Sequence, residues 1–261
     1  MKCKICNADR IVPFDKAIVL KKYEISYFEC STCGFVQTEE PYWLEEAYSD
    51  SIGHSDIGIL SRNLINLELA TTAIALFFSR KGKFLDYGGG YGLFVRLMRD
   101  KGFDFYLYEP NCENMFAKTF DVKLPTNTKF DMLTAFEVFE HLKDPLEEVE
   151  QMLKLSPNIF FSTTLLPQPS PKPAHWWYYS LEGGQHISLY TRASLHNLAE
   201  RLGINIYSDG RSYHLLTRKT ISPFIYALAM RIRISRIFNQ FVRQPSLLAQ
   251  DYLKVVGRPL E

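Results

Sequence analysis

The sequence predicts an α/β fold in which helices cover both faces of a mostly parallel sheet. Three observations support this prediction. Apolar runs of strand length alternate with segments of helix length between residues 60 and 217, a pattern typical of strand–helix–strand units. The run 83–87 leads directly into a glycine-rich turn, as at the carboxyl end of a parallel strand. Two runs near the end are separated only by Ser208-Asp209-Gly210-Arg211, which indicates a hairpin that closes the sheet.

The order of the elements follows from the periodicity of the apolar residues. We predict a helix at 60–79, strand 83–87, helix 92–101, strand 104–109, strand 130–135, helix 145–154, strand 158–163, helix 191–202, strand 204–208 and strand 212–217. Asp144 and Pro145 suit the cap and the first position of the helix that begins there. Residues 121–128 have room for only a brief further strand.

The glycine turn is the feature around which we expect a ligand to bind. The run from Asp86 to Gly92 reads D-x-G-x-G-x-G, with glycines at 88, 90 and 92 that tolerate positive φ and let a ligand approach the backbone. A dinucleotide-binding turn reads G-x-G-x-x-G instead, so the spacing argues against NAD. Glu109 ends the next strand, where a carboxylate is placed to accept hydrogen bonds from two ribose hydroxyls.

This combination resembles motif I of the class I S-adenosylmethionine-dependent methyltransferases. The resemblance implies a Rossmann-like methyltransferase sheet and S-adenosylmethionine as cofactor. It assigns cofactor binding to Asp86, Gly88, Gly90, Gly92 and Glu109. Asp86 would order the turn and Glu109 would hold the ribose.

The segment Phe136-Glu137-Val138-Phe139-Glu140-His141-Leu142 follows the strand at 130–135. It resembles the motif after strand four of many class I methyltransferases. If this segment is helical, we expect Glu137 and His141 to share a helical face, with Glu140 pointing elsewhere. A cluster of Glu and His invites a metal site, but the segment lacks a second histidine at ligand spacing. We therefore expect these residues, Glu137 among them, to shape the methionine end of the cofactor pocket or to hold the loop.

Four cysteines near the N-terminus have the spacing of a metal site. Cys3 and Cys6 form one C-x2-C pair, and Cys30 and Cys33 form a second. Two such pairs can arrange four thiolates tetrahedrally around Zn2+. Four cysteines leave no open coordination position, so we expect a structural zinc in a small ribbon of strands. Disulfides, or pairs with no metal, remain the alternative.

Two further segments are expected to lie at the mouth of the cleft. The loop with Tyr48, Ser51, His54 and Asp56 joins the ribbon to the long helix, either as a solvated connector or in contact with substrate or cofactor. The proline-rich stretch 165–174 leads into two tryptophans and two tyrosines, and then to His186.

The aromatic run suits either a packed lid or a stacking platform for the apolar face of a sugar ring. His186 lies in the segment after it, where glycines keep the backbone close to a ligand. Imidazole can take a proton near neutral pH, so His186 is the best candidate for a general base.

The ribbon, the glycine turn and the segment around His186 together resemble the nucleotide-sugar C-methyltransferases and related glycan methyltransferases. The resemblance covers residues 1–217 and implies His186 as base, Gln185 as its neighbour in the site, and Tyr48 from the ribbon junction. Gln185 departs from the family, because an amide cannot exchange a proton as a carboxylate can. The large C-terminal domain of those enzymes also has no counterpart here, so O-methylation of a glycan or sugar phosphate is an equal alternative.

Composition sets wider limits on function. The chain has 261 residues, 46% of them hydrophobic, and a net charge of +1, so no overall field attracts nucleic acid. No basic and apolar leader pattern opens the sequence, and no apolar run has spanning length, so we expect a cytoplasmic protein.

We expect three units: a zinc ribbon at 1–45, a methyltransferase domain at 46–217 and a basic helical tail at 218–261. The tail has eight Lys or Arg residues against Asp251 and Glu261. Arg233, Arg236 and Arg243 would lie on one helical face, which suits packing on the protein's own core, a partner or an anionic membrane surface. Two other functions stay open from the sequence, an NAD-dependent sugar oxidoreductase and a non-catalytic zinc-ribbon binding protein.

Overall fold

The computed structural model of the chain describes residues 1–49 and 57–260. Its strands are β1 (Ile11–Val19), β2 (Tyr23–Cys30), β3 (Val36–Thr38), β4 (Lys83–Tyr87), β5 (Asp104–Tyr108), β6 (Met132–Phe136), β7 (Asn158–Ser162), β8 (Ser188–Leu189), β9 (Asn205–Ser208) and β10 (Tyr213–Thr217). Its α-helices are α1 (Leu44–Ala47), α2 (Ile59–Phe77), α3 (Leu93–Asp100), α4 (Pro145–Leu155), α5 (Arg192–Arg201), α6 (Pro223–Ala229), α7 (Ile232–Asn239) and α8 (Leu248–Val256). From α2 to β10, the predicted ends lie within two residues of these bounds.

Six strands form the central sheet in the order β5-β4-β6-β7-β10-β9. The first four run parallel, and β10 is antiparallel to both of its neighbours. The hairpin of β9 and β10 therefore closes the sheet as predicted. The fold is mixed α/β and Rossmann-like, which confirms the predicted fold class.

Helices cover both faces of this sheet, because successive side chains of a strand point to opposite sides. Phe84 and Phe160 are buried in the cluster that includes α2 and α3. Leu85 and Ile159 are buried in the cluster that includes α4 and α5. Both faces of the sheet are thus covered by helices.

The chain order reverses at β4, which lies between β5 and β6. In sheets of this kind the carboxyl ends of the strands at the reversal form the ligand-binding crevice. The brief further strand expected at 121–128 is reduced to one bridge between Leu107 and Asp121. The binding edge is therefore formed by the segments that follow β4, β5, β6 and β7.

The N-terminal ribbon is a separate four-stranded sheet with the order β1-β2-β3-β8. Three of its strands belong to the first 45 residues. The fourth, β8, comes from the segment that follows the aromatic run, and it pairs antiparallel with β3. Residues of the predicted lid are thus built into the ribbon sheet.

The C-terminal tail packs on the helices of the central sheet. Asn239 Nδ2 donates to the carbonyl of Glu68 at 2.8 Å, and Asp251 accepts from Arg99 at 2.7 and 2.8 Å. Helix α7 ends at Asn239, so Arg243 lies beyond it. The expectation that Arg243 shares a helical face with Arg233 and Arg236 is therefore wrong. In the part of the chain that the structure describes, none of the helices is long and apolar enough to cross a membrane.

Candidate active site

The glycine turn lies at the carboxyl end of β4. Gly88, Gly90 and Gly92 have φ values of 70°, 56° and 81°, a region that other residues rarely adopt. A Cβ on Gly89 would lie 2.1 Å from Oδ2 of Asp86, so the turn also passes too close to that carboxylate for a side chain. This backbone path therefore favours glycine at 88, 90 and 92 for their positive φ, and at 89 for lack of space.

Asp86, in strand β4, packs its carboxylate against the glycine turn. It is buried and accepts a hydrogen bond from the Thr134 hydroxyl at 2.6 Å. Burial raises the pKa of Asp86 to about 7, against the effect of that hydrogen bond. This position suits the ordering role that the sequence assigns to Asp86.

Glu109 lies beside the turn, one residue beyond the end of β5. Its Oε2 accepts from the backbone N–H of Gly90 at 2.9 Å, and its Oε1 accepts from that of Asn111 at 2.7 Å. An ionised carboxylate accepts about four hydrogen bonds, so each oxygen retains capacity for a ligand hydroxyl. The open turn and this half-buried acid fit a ribose at the same edge of the sheet.

The opposite wall of the crevice follows β6. Glu137 has a φ of 54°, and its Oε1 accepts from the Ser162 hydroxyl at the end of β7 at 2.6 Å. Burial and then the charge of Glu140 raise the pKa of Glu137 to about 7. A short 3-10 turn, Phe139–His141, comes next.

The positive φ of Glu137 determines which side chains of the segment 137–141 come together. We expected Glu137 and His141 on one helical face, with Glu140 elsewhere, and this is wrong. The backbone breaks at Glu137 and turns as a 3-10 helix, so Glu140 is the residue that joins His141. Glu140 is fully buried, and its Oε1 accepts from the Tyr178 hydroxyl at 2.5 Å.

His186 reaches the same place from the lid segment. Its ring centroid lies 5.0 Å from that of His141. Nδ1 of His186 donates to the carbonyl of Tyr178 at 2.6 Å, because a carbonyl can only accept. Burial lowers the pKa of both imidazoles. At neutral pH, His186 is therefore uncharged, with its proton on Nδ1 and its lone pair on Nε2.

The ribbon junction completes this wall. The Tyr48 hydroxyl lies 3.0 Å from Nδ1 of His141. Trp43 Nε1 donates to the carbonyl of Gly184 at 2.8 Å, and Gln185 Nε2 donates to that of Ala47 at 2.7 Å. These two bonds fasten helix α1, and with it Tyr48, to the segment that carries His186. Gln185 thus faces the junction backbone, whereas Tyr48 faces His141.

The four cysteines form a compact cluster at the far end of the ribbon. Their sulfur atoms lie within 4.8 Å of one another. Cys3 and Cys33 sulfurs are 3.6 Å apart, as are those of Cys6 and Cys30, well beyond a disulfide bond. Tetrahedral ligation at about 2.3 Å per Zn–S bond needs sulfurs about 3.8 Å apart.

Comparison with known proteins decides among the functions left open by the sequence. Residues 63–209 match the family described as "Methyltransferase domain". The chain belongs to this methyltransferase family. It is an S-adenosylmethionine-dependent methyltransferase, not an oxidoreductase or a non-catalytic ribbon protein. No sequence match was found among curated proteins.

Solved structures similar to this methyltransferase have low sequence identity to it. The plantazolicin methyltransferase BpumL, in complex with a monoazolic desmethylPZN analog and SAH, is 13% identical, with a TM-score of 0.49 over 76% of this chain and 87% of that one. The Burkholderia thailandensis 1,6-didemethyltoxoflavin-N1-methyltransferase is 13% identical, with a TM-score of 0.48 and coverage of 78% and 97%. CalO1, a methyltransferase in calicheamicin biosynthesis, is 14% identical, with a TM-score of 0.47 and coverage of 69% and 60%.

The structure of this methyltransferase brings most of the predicted residues to one edge of the sheet. The glycine turn and Glu109 lie after β4 and β5, and Glu137 lies after β6. Ser51, His54 and Asp56 lie outside the described residues. Sequence reasoning missed Glu140 and Tyr178. The adjacent Glu140-His141 pair was a usable signal, whereas Tyr178 was hidden in an aromatic run that reads as packing.

Proposed function

We propose that this protein transfers a methyl group from S-adenosylmethionine to a hydroxyl of a sugar, nucleotide sugar or glycan. The observation that carries the proposal is the arrangement of two walls at one sheet edge. The turn from Gly88 to Gly92 and Glu109 form the first wall. Tyr48, His141 and His186 form the second.

The first wall fits the cofactor. Glu109 would accept hydrogen bonds from the ribose hydroxyls, the glycines would let the nucleoside lie against the backbone, and Asp86 would keep the turn in place. Glu137 lies further along the edge and would border the methionine end. S-adenosylmethionine would supply a methyl carbon on a sulfonium, whose carbon–sulfur bond would break with its electron pair going to sulfur.

The second wall would receive the acceptor. The acceptor oxygen forms the new bond to carbon with a lone pair, and its proton passes to Nε2 of His186. Tyr178 holds the other ring nitrogen and thus fixes the tautomer that a base requires. Tyr48 would orient His141 next to it. Alignment of acceptor oxygen and methyl carbon accounts for most of the rate enhancement.

The aromatic lid supports a sugar-like acceptor. Tyr178 and Tyr179 are buried, so this half of the run is packing. Trp177 is 75% exposed, and its ring centroid lies 5.2 Å from that of Tyr178, which in turn lies 4.8 Å from that of His186. An exposed indole that contacts the neighbour of a base offers a flat surface to the apolar face of a sugar ring.

We further propose that Cys3, Cys6, Cys30 and Cys33 hold a structural Zn2+. The sulfur separations suit tetrahedral ligation, and a ribbon of this size gains much of its stability from the metal. The zinc would have no part in the chemistry, because its four positions are filled by cysteines.

We propose that the three units 1–45, 46–217 and 218–261 are the domains of the chain.

We also propose that the tail, 218–261, contacts an anionic membrane surface. Exposed Phe224, Ile237 and Phe241 accompany the exposed Arg233 and Arg236, and this pairing of apolar and basic side chains suits anionic lipid headgroups.

The function is tested with the full chain and methyl-labelled S-adenosylmethionine. Nucleotide sugars, sugar phosphates, glycans and phenolic natural products serve as acceptors, and mass spectrometry detects the labelled product. We expect transfer to a sugar hydroxyl.

His186→Ala should retain the affinity for S-adenosylhomocysteine and lose turnover about 10²- to 10⁴-fold, as expected of a general base. The exposed His175→Ala serves as control. Transfer only to the phenolic compounds would reject the sugar acceptor, and full turnover in His186→Ala would reject the base.

A further inference from the structure

We propose that Glu140, His141 and His186 bind a divalent metal ion, at a site separate from the cysteine cluster. One carboxylate oxygen and one nitrogen of each imidazole lie within 4.8 Å of one another. Two histidines and one carboxylate with open positions are a donor set for ions such as Fe2+, Mn2+ and Zn2+. The sequence argued against a metal here because no second histidine has ligand spacing, yet the fold delivers His186 from a different segment.

The Glu140 carboxylate supplies an independent observation. Its Oε1 accepts from Tyr178, but its Oε2 is buried and has no hydrogen-bond partner in the described part of the chain. A buried carboxylate oxygen without a partner is costly, because it has lost its water and gained nothing in return. A cation between Glu140 and the two imidazoles would satisfy this oxygen.

The two imidazoles are held as metal ligands usually are. Nδ1 of His186 donates to the Tyr178 carbonyl, and Nδ1 of His141 lies 3.0 Å from the Tyr48 hydroxyl. Metal-bound histidines commonly engage their other ring nitrogen in this way, which fixes the ring and leaves Nε2 for the ion.

A metal ion at this site would activate the acceptor hydroxyl. This consequence of the site rests on the proposed function. Three protein ligands leave positions open for the acceptor hydroxyl. A cation-bound hydroxyl is more acidic, so it releases its proton to solvent water and attacks as an alkoxide. With the ion bound, Nε2 of His186 would hold the ion; without the ion, the same lone pair is free to take the proton as proposed above. Chelation of the ion, followed by assay, separates the two roles of His186.

Mn2+ alone is the probe, with the zinc-loaded full chain and neither cofactor nor acceptor present. Mn2+ prefers nitrogen and oxygen ligands, so it does not compete for the thiolates. Electron paramagnetic resonance counts the bound ions. We expect one Mn2+ per chain, with echo modulation from coordinated nitrogen, and stabilisation against heat when Mn2+ is added.

Variants assign the ligands. His141→Ala and Glu140→Gln should each weaken Mn2+ binding at least tenfold, while His175→Ala should leave it unchanged. The unfolding transition of each variant checks that it is folded, and His141→Asn replaces His141→Ala if that variant is not. Absence of Mn2+ binding, absence of nitrogen modulation, or equal affinity in the variants would overturn the site. Calorimetry with S-adenosylhomocysteine tests cofactor binding separately, so a failed metal site and a failed methyltransferase give different results.

Discussion

Val36 of the ribbon pairs with Leu189, three residues beyond His186. The same segment is held from the other side, where Ile187 N–H donates to the Glu140 carbonyl at 2.9 Å and the Ser188 hydroxyl to the Leu142 carbonyl at 2.7 Å. The His186 segment is thus held between the ribbon and the turn that carries His141. The ribbon is therefore part of the framework of the candidate site.

Loss of the cysteine cluster should impair the site as well as the ribbon. We expect Cys3→Ser to lose the bound zinc, to lower the midpoint of thermal unfolding, and to reduce turnover by more than it reduces S-adenosylhomocysteine affinity, since the ribbon strand β3 pairs with β8 of the His186 segment. Zinc content, thermal unfolding and calorimetry measure the three effects. Cys112→Ser, outside the cluster, should change none of them. Equal zinc content in Cys3→Ser and the wild type would contradict the assignment.

Removal of the carboxylate at 109 should weaken cofactor binding. Hydrogen bonds to a charged acceptor contribute about 1.5–3 kcal/mol each, so we expect Glu109→Ala to raise the Kd for S-adenosylhomocysteine at least tenfold. Part of the loss would come from the freed N–H groups of Gly90 and Asn111. Glu113→Ala is the matched control, because Glu113 is an exposed acid that pairs with Lys118. An unchanged Kd in Glu109→Ala would remove Glu109 from the cofactor site.

The Tyr48 hydroxyl should affect turnover more than binding. Burial raises the pKa of Tyr48, so its phenol stays protonated and can pair with His141. Tyr48→Phe leaves Nδ1 of His141 without this partner, a loss of about 1–2 kcal/mol, or roughly tenfold in kcat. Steady-state kinetics with the identified acceptor measures it. Tyr42→Phe, at a tyrosine that is 63% exposed, should behave as the wild type. A tenfold change in S-adenosylhomocysteine affinity with unchanged kcat would refute the role.

The sequence predicted those parts of the molecule whose structure depends on residues close together in the chain. Strand β4, its glycine turn and Glu109 follow from apolar periodicity and from the need for positive φ. The cysteine cluster follows from spacing alone. The hairpin after Ser208 follows from its short polar loop.

Pairings between distant segments could not be read in the same way. The meeting of His141 with His186 depends on β8 joining the ribbon sheet, and a two-residue strand leaves almost no signal in sequence. The position of Glu140 depends on the positive φ of Glu137, which a helical pattern of side chains does not reveal. The role of Gln185 in fastening the ribbon junction is likewise a consequence of tertiary contact.

The exposed face of the tail should give measurable binding to anionic vesicles. Each basic residue near such a surface contributes about 1 kcal/mol, so the double variant Arg233→Glu/Arg236→Glu should reduce binding at least thirtyfold. Co-sedimentation with vesicles of phosphatidylglycerol and phosphatidylcholine measures it, and raised salt should weaken it. Lys123→Glu, an exposed lysine outside the tail, is the control. Equal binding of wild type and double variant would show that the tail does not face the lipid.

The tail should also contribute to stability through Asp251. Both Asp251 and Arg99 are almost fully buried, and Arg99 also pairs with Asp104. Burial pushes the pKa of Asp251 upward, but the hydrogen bonds and charges of Arg99 and Arg96 outweigh it and hold that pKa below the ordinary 3.8. Breaking a buried pair from one side typically costs about 3 kcal/mol or more, so Asp251→Asn should lower the free energy of unfolding by about that amount at neutral pH.

The effect of Asp251 should depend on pH in a defined direction. A carboxyl with a depressed pKa in the folded state stabilises the fold when ionised, so its contribution is complete well above pH 3.8 and is lost as the pH falls through the folded pKa. The stability difference between wild type and Asp251→Asn should therefore be constant near neutrality and shrink below about pH 4. Urea unfolding across this range measures the difference.

The control is Asp100→Asn, at the half-exposed partner of Arg96. It should change stability by less than about 1 kcal/mol, since exposed pairs contribute little. A difference that grew on acidification would show that Asp251 is not stabilised by its arginines.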